Sequence, residues 1–390
     1  MEAYQNPGDT GEVKLVRGMM KEEEGICERS FPKMEKIDLR ELGWDEFYAS
    51  QFIEYEKEEK FVPGRIAVEH KHLYRVYTAE GDFLAEVSGK FCFEARERSD
   101  YPAVGDWVVL SIRPAEKRGT IHAVLQRKNK FSRKVAGLKT DEQIVAANID
   151  YTLLITSLNQ EFNPRRIERY LALIWDSGSN PVVVMNKADL CSDLDEKIAQ
   201  LESVAIGVPY HITSCLDGRG VDELAEYLAG NRTIAFLGSS GVGKSTIINR
   251  LLGEERQDTG EIRYKDSRGK HTTTYRELII RDKGGLLLDT PGMREIQLWN
   301  AEEGMGEAFD DIEELARSCK FNDCKHDTEP GCAVKEAIAR GIIAGERLEN
   351  YRKMKRELIY LEFKQKQKAS AGEKMKWEDI NRYEKHILRR

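Results

Sequence analysis

The 390-residue sequence contains no run of about 20 apolar residues, so no transmembrane helix is expected. It opens polar and acidic, with Glu22, Glu23 and Glu24 in one run. That is not the basic-then-apolar pattern of a secretory signal. Cysteine is scarce, and the seven present are an odd number. Cys27, Cys92, Cys191 and Cys215 stand alone, whereas Cys319, Cys324 and Cys332 cluster. Such a distribution disfavours a disulfide framework and favours a metal site. These absences together predict a cytoplasmic protein. An overall positive charge is missing too, since the net charge is −7. Taken as an average, that value argues against a nucleic-acid partner. The average hides an asymmetry, however. Glu54, Glu56, Glu58 and Glu59 crowd the early chain. The final forty positions are basic, with Arg352, Lys353, Lys355, Arg356, Lys364, Lys366, Lys368, Arg389 and Arg390. The charge of a segment, not the total, selects its partner.

What is present divides into blocks. The length suggests two or three domains. Residues 1–36 show no sustained periodicity and read as poorly ordered. Residues 37–60 hold enough apolar side chains, among them Trp44, Phe47 and Tyr48, for one short helix. Five short strands follow, at 64–68, 73–77, 83–87, 107–111 and 120–124. They are rich in β-branched and aromatic residues and are separated by Gly81, Gly89 and Gly105. Five strands in about 70 residues suit an OB-type barrel; an SH3-like or purely structural barrel is the alternative. Barrels of the OB type commonly bind RNA or single strands. Arg96, Arg98, Lys128, Lys130, Arg133 and Lys134 place positive charge near this one.

From about 148 onward strands and helices alternate, which predicts a parallel sheet. Strands are expected at 150–155, 181–185 and 210–213. Helices are expected at 165–175, near 193–205 and at 221–228. The strand at 233–237 runs into Gly238, Ser239, Ser240, Gly241, Val242, Gly243, Lys244, Ser245 and Thr246. This stretch fits G-x-x-x-x-G-K-[ST] between a strand and a helix, the context that the phosphate-binding loop requires. Its backbone N–H groups would cradle phosphate oxygens. Lys244 would reach the β- and γ-phosphates, and the Ser245 hydroxyl would ligate Mg²⁺.

Asn186, Lys187, Ala188 and Asp189 form N-K-x-D at the carboxyl end of a buried strand, where open α/β sheets bind ligands. The Asp189 carboxylate can accept two hydrogen bonds from guanine. Adenine offers neither, a difference worth roughly 2–5 kcal/mol if the group is buried. Ser214 and Cys215 match the short loop that contacts guanine O6. Further on, Asp289 and Gly292 make D-x-x-G. Asp289 is expected to support Mg²⁺ through water, and the Gly292 N–H to sense the γ-phosphate. Between the loop and this motif, 267–274 is a polar segment of the switch type, with Thr273 expected to complete the Mg²⁺ shell. Met293 occupies the place where Ras-like enzymes carry a water-orienting Gln. His271 is the candidate replacement; the alternative is that it only contacts a partner or solvent. The order is unusual, because N-K-x-D precedes the phosphate loop. The sheet would keep its contacts while the chain enters at a different strand.

Cys319, Cys324, His326 and Cys332 close the series. Three thiolates and one imidazole make a complete tetrahedral set for one structural Zn²⁺. Buried free cysteines are the alternative. An amphipathic helix at 309–316 leads into this set, and basic helices at 333–368 follow it.

The permuted order of these motifs resembles the circularly permuted, ribosome small-subunit-dependent GTPase A family. The likeness includes residues 147–150 (Ala-Asn-Ile-Asp), residues 165–170 (Arg-Arg-Ile-Glu-Arg-Tyr), the barrel before and the Cys-Cys-His-Cys set after. It covers about residues 37–365. Lys270 stands where the family usually has Arg before the histidine. The resemblance implies a multidomain chain: an acidic extension over 1–60, partly disordered, an OB-type β-barrel over 61–135, a circularly permuted P-loop GTPase α/β domain over 136–300, and an α-helical zinc-binding domain with a basic tail over 301–390. It implies hydrolysis of GTP to GDP with Mg²⁺, stimulated by the 30S subunit in late small-subunit assembly. It further implies contact with rRNA, no membrane partner and a monomer. A GTP-dependent RNA-binding scaffold and a GTPase of large-subunit assembly are the competing readings.

Overall fold

The computed structural model describes residues 36–70, 73–134, 142–159, 162–253, 276–289, 302–356 and 358–359. The acidic residues 1–35, the switch segment with His271 and Thr273, Gly292, Met293 and the basic residues beyond 359 lie outside them.

Strands rich in β-branched and aromatic side chains form β1 (Phe61–His70), β2 (Leu73–Thr78), β3 (Gly81–Val87), β4 (Trp107–Arg113) and β5 (Arg118–Val124). Their order is β1-β2-β3-β5-β4, and β4 returns to pair with β1. The sheet is therefore closed, with β3 and β5 running parallel. This is the five-stranded Greek-key barrel of the OB type, not an SH3-like one. Ile66, Val76, Ala85, Leu110 and Ile121 fill it. α1 (Glu46–Glu56) starts at Asp45, whose carboxylate accepts the Phe47 N–H at 3.0 Å. It closes one end, where Trp44 and Tyr48 pack on the buried Trp107. α2 (Gly89–Glu94) connects β3 towards β4.

A ribbon of β6 (Lys130–Lys134) and β7 (Glu142–Ala147) then joins the barrel to the second sheet. Sequence reasoning missed it, because β6 is short and mostly polar, although β7 carries the buried run Ile144–Ala147. The second sheet contains β8 (Tyr151–Ser157), β9 (Asn180–Asn186), β10 (Tyr210–Ile212), β11 (Thr233–Leu237), β12 (Glu277–Ile280) and β13 (Leu286–Asp289). Its order is β10-β9-β8-β11-β13-β12, parallel except for β12, and β12 also pairs antiparallel with β1 of the barrel at Val68 and Glu277, so the sheet runs on into the barrel. Leu153 and Ile155 face one layer with α5 (Lys244–Leu252) and the turn Asp222–Leu228. That segment is the helix expected at 221–228, and it has 3-10 geometry. Leu154 and Val183 face the other layer, with α3 (Pro164–Asp176) and α4 (Leu194–Glu202). Burial on both faces explains the unbroken apolar strands.

Two seams tie these parts together. Arg65 is 2% exposed. Its guanidinium donates to the backbone carbonyls of Gly105 and Asn148 at 3.2 and 3.0 Å, to Leu42 O, and to Thr233 Oγ1 at 2.9 Å. The turn before α1, the barrel and β11 thus share one buried cation. The second seam lies on α3. The C-terminal part contains α6 (Glu302–Ala308), α7 (Asp310–Ala316), α8 (Ala333–Ala339) and further helical residues at 345–356. α6 lies so close to α3 that a Cβ at Gly304 would collide with the Ala172 carbonyl. Glu168 of α3 is 1% exposed and accepts from Arg347 and Asn350. Arg347 also donates to both Asp311 oxygens, each at 2.8 Å, and to Ala308 O at 2.9 Å.

Candidate functional site

β8 leads outward to β9 and β10, while β11 leads the other way to β13. The topological switch point therefore lies between β8 and β11, where open sheets form a crevice at the carboxyl ends of their strands. The glycine-rich loop sits there. Gly238, Gly241 and Gly243 have φ of 147°, 75° and 101°, values that side chains rarely allow. A Cβ on Gly238 would strike the Ile155 carbonyl of β8, and one on Gly243 would strike the Asn186 amide. α5 begins at Gly243 without a capping side chain. The first-turn N–H groups of Lys244, Ser245 and Thr246 therefore face the loop, as an anion site requires. Lys244 Nζ donates to the carbonyls of Gly238 and Ser239 at 2.8 and 2.6 Å, which holds its charge at the loop mouth.

The guanine-type motif is bonded to this loop directly. Asn186, 1% exposed, donates from Nδ2 to Val242 O at 2.8 Å. Its Oδ1 accepts from Thr213 Oγ1 at 3.2 Å and from the Cys215 thiol at 3.6 Å. The side chain is thus fully oriented, and one residue tethers three loops. Thr213 was not singled out from sequence, although it immediately precedes Ser214. Lys187 takes a left-handed φ of 65°, which turns the chain at the end of β9. The Ser214 hydroxyl donates to Asp189 Oδ1 at 2.6 Å. The Asp189 carboxylate is therefore held by one oxygen. Ser214 is fully buried and its N–H donates to Arg219 O at 3.0 Å. Burial pushes the Cys215 thiol up, partly countered by its bond to Asn186. Cys215 is thus a neutral hydrogen-bond donor. On the far side of the loop, Asp289 ends β13 in register with Glu277 of β12.

The second cluster lies in the C-terminal part. The ligand atoms of Cys319, Cys324, His326 and Cys332 all lie within 4.8 Å of one another. Cys319 Sγ is 3.9 Å from Cys332 Sγ, and these sulfurs are 3.6 and 3.4 Å from His326 Nδ1. Tetrahedral Zn²⁺ with ordinary bond lengths would set sulfurs about 3.8 Å apart and sulfur to nitrogen about 3.6 Å. The spacing fits the ion. Burial first, then the Lys355 and Arg352 charges, lowers the His326 pKa, so the imidazole stays neutral and ready to ligate. Lys335 N–H donates to Cys332 Sγ at 3.4 Å, at the start of α8.

Comparison with known proteins decides the family. The RsgA GTPase family model matches residues 124–299. A curated relative from Opitutus terrae, named small ribosomal subunit biogenesis GTPase RsgA, is 42% identical over 353 residues, covering 88% of this chain and 96% of the relative. The chain belongs to the RsgA GTPase family. RsgA 1 of Oceanobacillus iheyensis is 44% identical over 322 residues, covering 82% of this chain and 92% of the relative. The solved structure of YjeQ from Thermotoga maritima is 31% identical with a TM-score of 0.58, covering 77% of this chain and 99% of that one. YloQ, described as a circularly permuted GTPase, gives 27% and 0.55, covering 76% and 95%. As an RsgA-family protein the chain is a GTPase, and the family implies GTP or GDP with Mg²⁺. Among the described residues no helix is long and apolar enough to cross a membrane.

Proposed function

We propose that this chain hydrolyses GTP on the small ribosomal subunit during its late assembly, and that the subunit stimulates the reaction. The observation that carries the reading is the lock between loops: Asn186 holds Val242, and Ser214 holds Asp189. A base bound at Asp189 is thereby registered to phosphates bound at 238–246.

In this reading Asp189 accepts from guanine, with Asn186, Lys187, Ser214 and Cys215 completing the base pocket. The backbone of residues 238–246 and Lys244 hold the phosphates. Ser245 and Thr273 hold Mg²⁺ and Asp289 supports it; the ion, when bound, neutralises charge developing on the phosphate oxygens. The Gly292 N–H senses the γ-phosphate, and His271 positions the attacking water. Cys319, Cys324, His326 and Cys332 hold one structural Zn²⁺. The chain divides into an extension before 61, a barrel to 135, a GTPase domain to 300 and a zinc domain after it. The barrel and the zinc domain grip rRNA. The protein is a cytoplasmic monomer.

The names of the curated relatives support the small subunit as the partner. The test is the GTPase rate with and without purified small subunits, at low and moderate salt, beside co-sedimentation with free 30S and 50S particles. Strong stimulation and selective 30S binding are expected. A rate that the small subunit leaves unchanged would refute the proposal.

A further inference from the structure

Away from the nucleotide loops lies a cleft of about 610 Å³ between α3 and the helical residues 345–356. Arg165, Arg166 and Arg169 line one wall, and Arg352, Lys353 and Arg356 line the other. Each wall repeats the spacing i, i+1, i+4, so each presents two cations one turn apart on a helix face. Among the described lining residues the one carboxylate is Glu349. Glu168 lies within α3 but is buried, its oxygens bonded to Arg347 and Asn350. Glu346 meets Arg165 at 2.7 Å, yet the pair is 78% and 52% exposed, where water screens it. Arg352 also contacts the zinc loop at His326 O.

Small-molecule pockets are mostly apolar; this cleft is the opposite. Two cationic walls facing each other favour a polyanion between them. Low-dielectric walls also focus the field into the gap. Five of the six cations are arginines, whose planar forks match phosphate oxygens two at a time. We infer that this cleft binds the phosphate backbone of an RNA strand. One wall belongs to the helix that follows β8, and the other follows the cysteine–histidine cluster. A strand seated there therefore contacts the nucleotide-binding and zinc-binding parts at once. The inference rests on the reading of the chain as an rRNA-binding factor.

The test uses the full chain and the variant R165A/K353A/R356A. All three side chains are exposed and none lies in the nucleotide or zinc sets, so subunit-free GTP turnover and zinc content are expected to be unchanged. Binding of a labelled RNA hairpin is followed by anisotropy from 50 to 200 mM salt. The triple variant is expected to bind on the order of tenfold or more weakly, with a log–log salt slope shallower by about 3. The charge-conserving R165K/K353R/R356K is expected to keep the native salt slope and to lose less affinity than the alanine variant. Equal affinity and slope in the alanine variant overturn the cleft. So does native protein that binds small subunits but no hairpin. Inorganic tripolyphosphate is the third arm: charge-dependent binding of it, with RNA affinity unaffected, marks a small-anion site and also overturns the assignment. Native protein that fails to sediment with small subunits sinks the ribosomal reading itself, a result separate from these.

Discussion

At the scale of single residues, the nucleotide site depends on a few side chains that each serve more than one loop. Asp189 is one case. Asp189→Asn replaces an acceptor with a donor against guanine, so GTP affinity is expected to fall by roughly 2–5 kcal/mol. Affinity for xanthosine triphosphate is expected to rise. Titration of both nucleotides checks this, and unaltered GTP affinity refutes the base-reading role. Gly243 is the other case. Its φ of 101° and the Asn186 amide beside it leave no room for a methyl group. Gly243→Ala is expected to abolish measurable GTP binding while circular dichroism stays native. Both residues were legible in the sequence, because local motif spacing encodes them. Thr213 was not, since a lone threonine carries no pattern. Only the fold brings it to Asn186, 27 residues away.

Secondary-structure elements were legible to the degree that their periodicity was strong. β8, β9, β11 and α3 stand out because Leu153–Ile155, Val182–Val184 and the Ile167, Leu171, Ile174 face are apolar at strand or helix spacing. The β6–β7 ribbon was missed because Lys130, Ser132, Arg133 and Glu142 make it look like a loop. β12 is only four residues long and runs against its neighbour. The turn Asp222–Leu228 tightened to 3-10 geometry, which helical spacing alone does not distinguish from α. The zinc loop is an element with little regular structure of its own, and His326 holds a left-handed φ of 59° within it. Metal is expected to supply most of its stability. Elemental analysis should find one zinc per chain. Cys324→Ser or a strong chelator should remove it and raise amide exchange across 319–339, leaving GTP binding near native. A metal-free native chain with a protected loop would contradict this.

For the whole molecule, the joints matter more than the parts. Glu168 and Arg347 are 179 residues apart in sequence, so neither suggested the other before folding placed them together. Breaking a buried ion pair from one side typically costs about 3–5 kcal/mol, because a lone charge is left behind. Arg347→Met is therefore expected to loosen α6, α7 and the residues 345–356 from α3. Limited proteolysis should then release the C-terminal part. Arg347→Met with Glu168→Gln should restore part of the resistance, since the buried Glu168 charge is then removed and Asp311, the other partner, is 23% exposed to water.

The buried Arg65 has a consequence for how the chain is made. Thr233, one of its partners, is 168 residues downstream, and Asn148, another, is 83. At ordinary synthesis rates of about 5–20 residues per second, the barrel leaves the ribosome many seconds before β11 exists. During that interval the guanidinium lacks half of its acceptors and must stay hydrated. A nascent barrel, already closed by β4 on β1, thus keeps this one guanidinium in water until the strand that carries the phosphate loop arrives. The order of translation makes the nucleotide domain the piece that buries it.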